Sequence, residues 1–138
     1  MGDHHVKHGD GVKDVAFSCD DATAIFKKCV ERGATPVQEP TTLEDENGKV
    51  IVSSVKTYGD TIHSFIQRVD YTGCFLPGFK ASPLDECLNK MLPIPDLKAI
   101  DHCVGNQPDG EMEPVAQWYA KMLDFHRFWS VDDKQINT

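Results

Sequence analysis

Two rhythms of apolar and polar positions run along the chain, and their succession occurs twice. "VKDVAFSC" (12–19) is a run of β type, and Asp20 and Asp21 follow as candidate helix caps. Ala22, Ile25, Phe26, Cys29 and Val30 then recur at i, i+3, i+4, i+7 and i+8, the spacing of a helix with one apolar face, before Gly33 closes it. "AIDHCVGN" (99–106) is again strand-like, "QPDG" reads as a turn, and Val115, Trp118, Tyr119, Met122 and Leu123 repeat the helical spacing. Between these units lie "TPVQEPTTL", "KVIVSSVKTY" and "DTIHSFIQRV", with the turn-rich "EDENGK" placed to close a hairpin. The first unit therefore reads β-α-β-β-β. "DYTGCFLPGFKASPLDECLNKMLPIPDL" carries Gly, Pro and Ser breakers without periodicity, as a linker does, and a second unit begins near Leu97. That unit is expected to be unfinished, because the chain stops where its remaining strands should follow.

Composition narrows the partners more than the fold. With 138 residues, 40% hydrophobic and 26% charged, the chain can bury a sizeable core. A net charge of −8, from 22 acidic against 14 basic residues without a local Lys/Arg cluster, repels phosphate backbones and argues against nucleic acid. No apolar stretch approaches the roughly 18 residues of a membrane span, and the amino-terminal "MGDHHVKHGDG" has no apolar core of the kind a secretory signal requires. Five cysteines without a C-x-x-C pair suggest neither a disulfide framework nor a zinc knuckle and fit a cytoplasmic setting.

The histidines are the candidate chemistry. His102 stands in the middle of the second strand-like run; read alone, a single strand histidine is more often structural than a metal ligand. His4 and His8 have i, i+4 spacing, yet "HHVKHGDG" is polar and breaker-rich, so they are expected in a solvated loop. His63 could face either side of its strand, and His126 in "DFHRFW" is expected to pack among aromatic residues.

The strings "GDGVKDVAF", "KTYGDTIHSFIQR", "GCFLPGF", "IDHCVGNQPDGEM" and "WYAKMLDFHRFWSVDD", in this order, closely resemble the 4-hydroxyphenylpyruvate dioxygenase family in its animal-like form. The resemblance implies an α+β fold of βαβββ modules, the vicinal-oxygen-chelate architecture, in a chain that is an internal piece of a longer enzyme. Residues 1–69 would be the second module of an amino-terminal, non-catalytic domain, 70–96 an interdomain linker, and 97–138 the incomplete start of the catalytic domain. It further implies iron(II) bound by two histidines and a glutamate, a small-molecule 2-oxo acid substrate with O2, homogentisate and CO2 as products, and a homodimer. By the family motif DH-x-VGN, His102 would be the first metal ligand. Val104, two positions on and on the same strand face, would line the substrate pocket, with Asp101 and Cys103 turned away. Asp14 and Ser64 would stand where the catalytic module has a histidine and the glutamate, so the first module would have lost its metal site and serve as scaffold. Alternatives are a 4-hydroxymandelate synthase, with the same fold, metal and substrate, or a non-catalytic binding module, since one ligand stands where three are required.

Overall fold

The structure, a computed structural model, describes residues 2–82, 90–93 and 96–130. Parts of the expected linker (83–89 and 94–95, with Cys87) and the end of the second unit (131–138) lie outside the described residues. The elements run α1 (Gly2–His8), β1 (Asp14–Ser18), α2 (Ala22–Glu31), β2 (Pro36–Asp45), β3 (Gly48–Lys56), β4 (Ile62–Val69) and α3 (Met112–Leu123).

Each boundary of the first unit has a local cause. Asp21 takes extended backbone and its carboxylate accepts the Ala24 N–H at 2.8 Å, capping α2. At the other end Gly33 adopts φ +102°, while Gly33 N–H reaches Val30 O at 2.9 Å and Ala34 N–H reaches Cys29 O at 2.9 Å. That pair of bonds needs a left-handed residue, which glycine supplies without a Cβ clash. β2 and β3 join through a tight turn in which Asp45 Oδ1 accepts the Asn47 N–H at 2.8 Å. Gly48 follows at φ +121°, where a Cβ would overlap the Asp70 backbone.

The four strands form one mixed sheet in the order β1-β4-β3-β2. β1 pairs parallel with β4, and β3 pairs antiparallel with both β2 and β4. Because side chains alternate, one face presents Phe17, His63, Phe65 and Val55 to α2, whose Ala22, Phe26 and Cys29 complete the core. Met122 of α3 joins the same cluster, with Trp118 and Leu123 packed against it. The opposite face carries Asp14, Ser54 and Ser64.

Three expectations are corrected. Residues 99–106 form no strand. A strand satisfies its N–H and C=O groups only through a neighbour, and no described segment pairs with this run. The amino-terminal histidines lie in the helix α1 rather than a loop, with Asp3 in its first turn, His5, Lys7 and His8 in its last, and Gly9 beyond it at φ +67°. This helix is tied down where Lys7 Nζ and His8 Nε2 meet Asp60 Oδ2 at 2.6 and 2.9 Å. His126 is exposed and does not pack among the aromatic rings.

Candidate functional site

His63 is the most enclosed histidine, 3% exposed. Phe65, two residues along β4, shares its inward direction, as do Val15 and Val55, the register partners of His63. The Val15 carbonyl, 2.8 Å from His63 Nδ1, can only accept, so Nδ1 carries the proton and Nε2 is an acceptor. Tyr119 of α3 donates its hydroxyl to that Nε2 at 2.9 Å. Burial, with Tyr58 nearby, pushes the Tyr119 phenol well above its ordinary range and keeps it protonated as a donor. Burial also lowers the His63 pKa, against smaller opposing pulls from the Val15 carbonyl and Asp14. The imidazole is therefore neutral and locked in one tautomer. It borders a cavity of about 360 Å3 that Tyr58, Cys103, Gly105, Gln107 and Tyr119 also line.

α3 has a second attachment to the first unit. Arg32 Nη1 donates to the Lys121 and Met122 carbonyls at 3.0 and 3.3 Å and pairs with Asp124 at 2.7 Å, while Lys28 Nζ lies 2.5 Å from the same carboxylate. A guanidinium from Arg32, the residue that follows α2, thus satisfies carbonyls that the last turn of α3 leaves open.

On the other sheet face, Asp14 Oδ2 accepts from Ser64 Oγ at 2.6 Å, and Asp14 Oδ1 from the Ser64 N–H at 3.1 Å. Ser54 and Ser64 exchange a hydroxyl hydrogen bond at 2.8 Å. Asp14 and Ser64, which the resemblance singles out, do meet. Their carboxylate and hydroxyls are spent on one another, with no imidazole among them.

His102 lies at the surface, its side chain 72% exposed, with Nδ1 2.6 Å from Asp101 Oδ2. Asp101 is not turned away, because without a strand the strict alternation does not hold. Val104 is 75% exposed and, with Cys103, Gly105 and Asn106, walls a second cavity of about 400 Å3 shared with His4, His8, Tyr58 and Asp60. Among the described residues no group of three His, Cys, Asp or Glu side chains is arranged to hold a metal ion. The described residues therefore do not make an iron site by themselves: His102 brings one imidazole, and its near neighbour Asp101 is bonded to the ring. Sequence reasoning missed the His63–Tyr119 pair and the Arg32 cap; the only signal for the first was the shared parity of His63 and the apolar Phe65.

No protein-family model matches the chain. Among curated proteins, it is 54% identical over 138 residues to the 4-hydroxyphenylpyruvate dioxygenase of Tetrahymena thermophila, covering 100% of this chain and 34% of that protein. The Danio rerio protein of the same name is 54% identical over 139 residues, covering 100% of this chain and 35% of its own length, and the Caenorhabditis elegans one is 49% identical over 138 residues, covering 100% and 35%. Among solved structures, a mutant of 4-hydroxymandelate synthase from Streptomyces coelicolor superposes with a TM-score of 0.58 over 88% of this chain and 33% of that one, at 21% identity. That likeness concerns the fold alone, the βαβββ vicinal-oxygen-chelate architecture. No helix among the described residues is long and apolar enough to cross a membrane. About half of the chain's residues are identical along its whole length to these relatives, each named 4-hydroxyphenylpyruvate dioxygenase, and it spans about a third of their length.

Proposed function

We propose that these 138 residues are the scaffold module and the first metal-binding segment of an iron(II)-dependent enzyme that converts 4-hydroxyphenylpyruvate and O2 to homogentisate and CO2. The observation that carries this reading is the 49–54% identity, over an alignment that covers the whole chain, to proteins of that name. In this reading residues 1–69 are scaffold, 70–96 link, and 97–138 open the catalytic domain. His102 is one of three ligands, the others coming from outside the described residues. When bound, iron(II) would supply a Lewis acid and the electrons for activating O2.

The chain's own contribution is an oriented imidazole. Asp101 accepts from His102 Nδ1, which leaves Nε2 as the atom to face a metal, and a carboxylate on the far nitrogen fixes the orientation of such a ring. Val104 offers an apolar side chain to the substrate's ring. The unpaired Cys19, Cys29, Cys74 and Cys103 are in keeping with a cytoplasmic enzyme.

A chimaera in which this chain replaces the aligned third of the Tetrahymena thermophila relative tests the reading. It should consume one O2 per keto acid and yield homogentisate. His102→Ala should lower iron retention and turnover by ~100-fold or more while the protein stays folded, as loss of a ligand does. Hydroxymandelate as product would favour the synthase. A chimaera that folds, keeps no iron and turns nothing over would leave a binding module. The 138-residue chain alone should retain no iron(II) through desalting. Light scattering of the chimaera checks the homodimer expected from the resemblance.

A further inference from the structure

Between the first module and the segment that carries His102 runs a series of side-chain contacts that nothing in the dioxygenase reading uses. It begins at the Val15 carbonyl in β1, passes through the His63 imidazole, and reaches the Tyr119 hydroxyl in α3 at 2.9 Å. The Tyr119 ring also stands edge-on to that of Tyr58, with centroids 6.4 Å apart. Tyr58 belongs to the β3–β4 turn, which is pinned by Thr57 and Thr61 through backbone and hydroxyl bonds of 3.0–3.1 Å. The end of the Tyr58 side chain meets Gly105: a Cβ there would overlap the Tyr58 hydroxyl. Gly105 is three residues from His102, and Tyr58, Cys103 and Gly105 line both cavities on this side of the molecule.

We propose that His63, Tyr119 and Tyr58 are positioning residues: through them the first βαβββ module holds residues 103–107, and so sets where His102 presents its imidazole. The proposal deepens the reading of His102 as a ligand and rests on it. It explains three features together. A histidine 3% exposed has both ring nitrogens engaged. A tyrosine of the second unit's helix is bonded to the first unit's sheet rather than to a sheet of its own. Glycine stands where the hydroxyl presses, and its absent side chain is what permits the approach. Apolar packing alone would need none of these polar atoms. A segment without a ladder of its own needs such outside anchors, because unpaired coil is otherwise among the least ordered parts of a fold.

The test has two arms. In the 138-residue chain, backbone 15N order parameters of residues 103–106 are measured in wild type, Tyr119→Phe and Gly105→Ala. Values near about 0.8 should fall below about 0.6 in both variants, while β3 and β4 stay near about 0.85. Unchanged order in 103–106, or an equal loss throughout the sheet, overturns the proposal. In the chimaera, His63→Gln keeps a donor for Val15 and an acceptor for Tyr119, whereas His63→Leu keeps only bulk. The proposal expects iron affinity to fall about tenfold in His63→Leu and to be largely restored in His63→Gln, the size seen when supporting partners of a ligand are lost. Leu equal to wild type, or Gln no better than Leu, assigns His63 to packing and overturns it. If the wild-type chimaera takes up no iron, the dioxygenase reading fails, and the order parameters still decide whether the anchoring chain exists.

Discussion

Residues 14–69 and residues 96–130 carry the same succession of apolar run, turn and amphipathic helix, and they end in different states. In the first region the run becomes β1, because β4 lies beside it in parallel register from Asp14↔Ile62 to Ser18↔Ile66. In the second the helix forms and the run before it stays unpaired. The difference is where the hydrogen bonds are. A helix closes its N–H to C=O bonds within itself, whereas a strand has half of its backbone groups pointing at a partner. α3 still needs a surface for its apolar stripe, and it takes the one available: Met122 enters the first module's core, Arg32 caps its last turn, and Tyr119 reaches His63. A helix can borrow a neighbour's face; a strand cannot borrow a neighbour's edge unless the register and direction suit.

The contrast breaks most completely at the shared core. Phe65, 2% exposed, touches what both regions depend on, so Phe65→Ala should cost about 3–5 kcal/mol and release α3 together with the sheet. Urea unfolding followed by far-UV circular dichroism checks this. Next in size is the loss of the borrowed surface alone. Arg32→Ala removes the donors to Lys121 and Met122 and should cost about 1–2 kcal/mol, felt in α3 and not in β3 or β4. Hydrogen exchange should show amides of 112–123 opening faster with those of 50–56 unchanged, and already in the wild-type chain residues after 97 should exchange faster than residues 14–69.

A smaller effect follows from the imidazole between the two regions. Burial holds the His63 pKa below its ordinary value, so the folded chain binds fewer protons there than the unfolded one. Its contribution is complete above the unfolded value of about 6.5 and is lost as pH falls through the lower folded value. The Tm should therefore drop between about pH 7 and about pH 5, and His63→Leu should flatten that part of the profile. Smallest of all, His102→Ala in the 138-residue chain should change stability by less than about 0.5 kcal/mol, because the side chain is exposed and its bond is to the adjacent residue. A larger change there would mean that the second region is more tightly built than its exposed side chains indicate.

Much of the first region was legible beforehand. Asp21 and Gly33 mark the ends of α2 by their own chemistry, and the spacing of Ala22, Phe26 and Cys29 marks its buried face. Asp14 and Ser64, singled out through the resemblance, meet at 2.6 Å. The run around His102 carried the same β signal as β1, yet that signal describes a willingness to pair and names no partner. His4 and His8 were placed in a loop because the local residues are polar and rich in breakers; the anchor that favours helix there, Asp60, lies more than fifty residues along the chain.

By itself the sequence determined what neighbouring residues decide among themselves: the caps, the hairpin turn, the alternation that turns Phe65 and His63 to one side, and the resemblance that names His102. Only the tertiary structure decided which apolar run joins a sheet, which face α3 occupies, and that His63 of one unit is bonded to Tyr119 of the other across 56 positions. The reason is physical. Caps and turns are settled by dihedral preferences and bonds spanning a few residues, whereas ladder partners and docking faces are competitions among distant segments, won by whichever closes its hydrogen bonds and buries its apolar surface together.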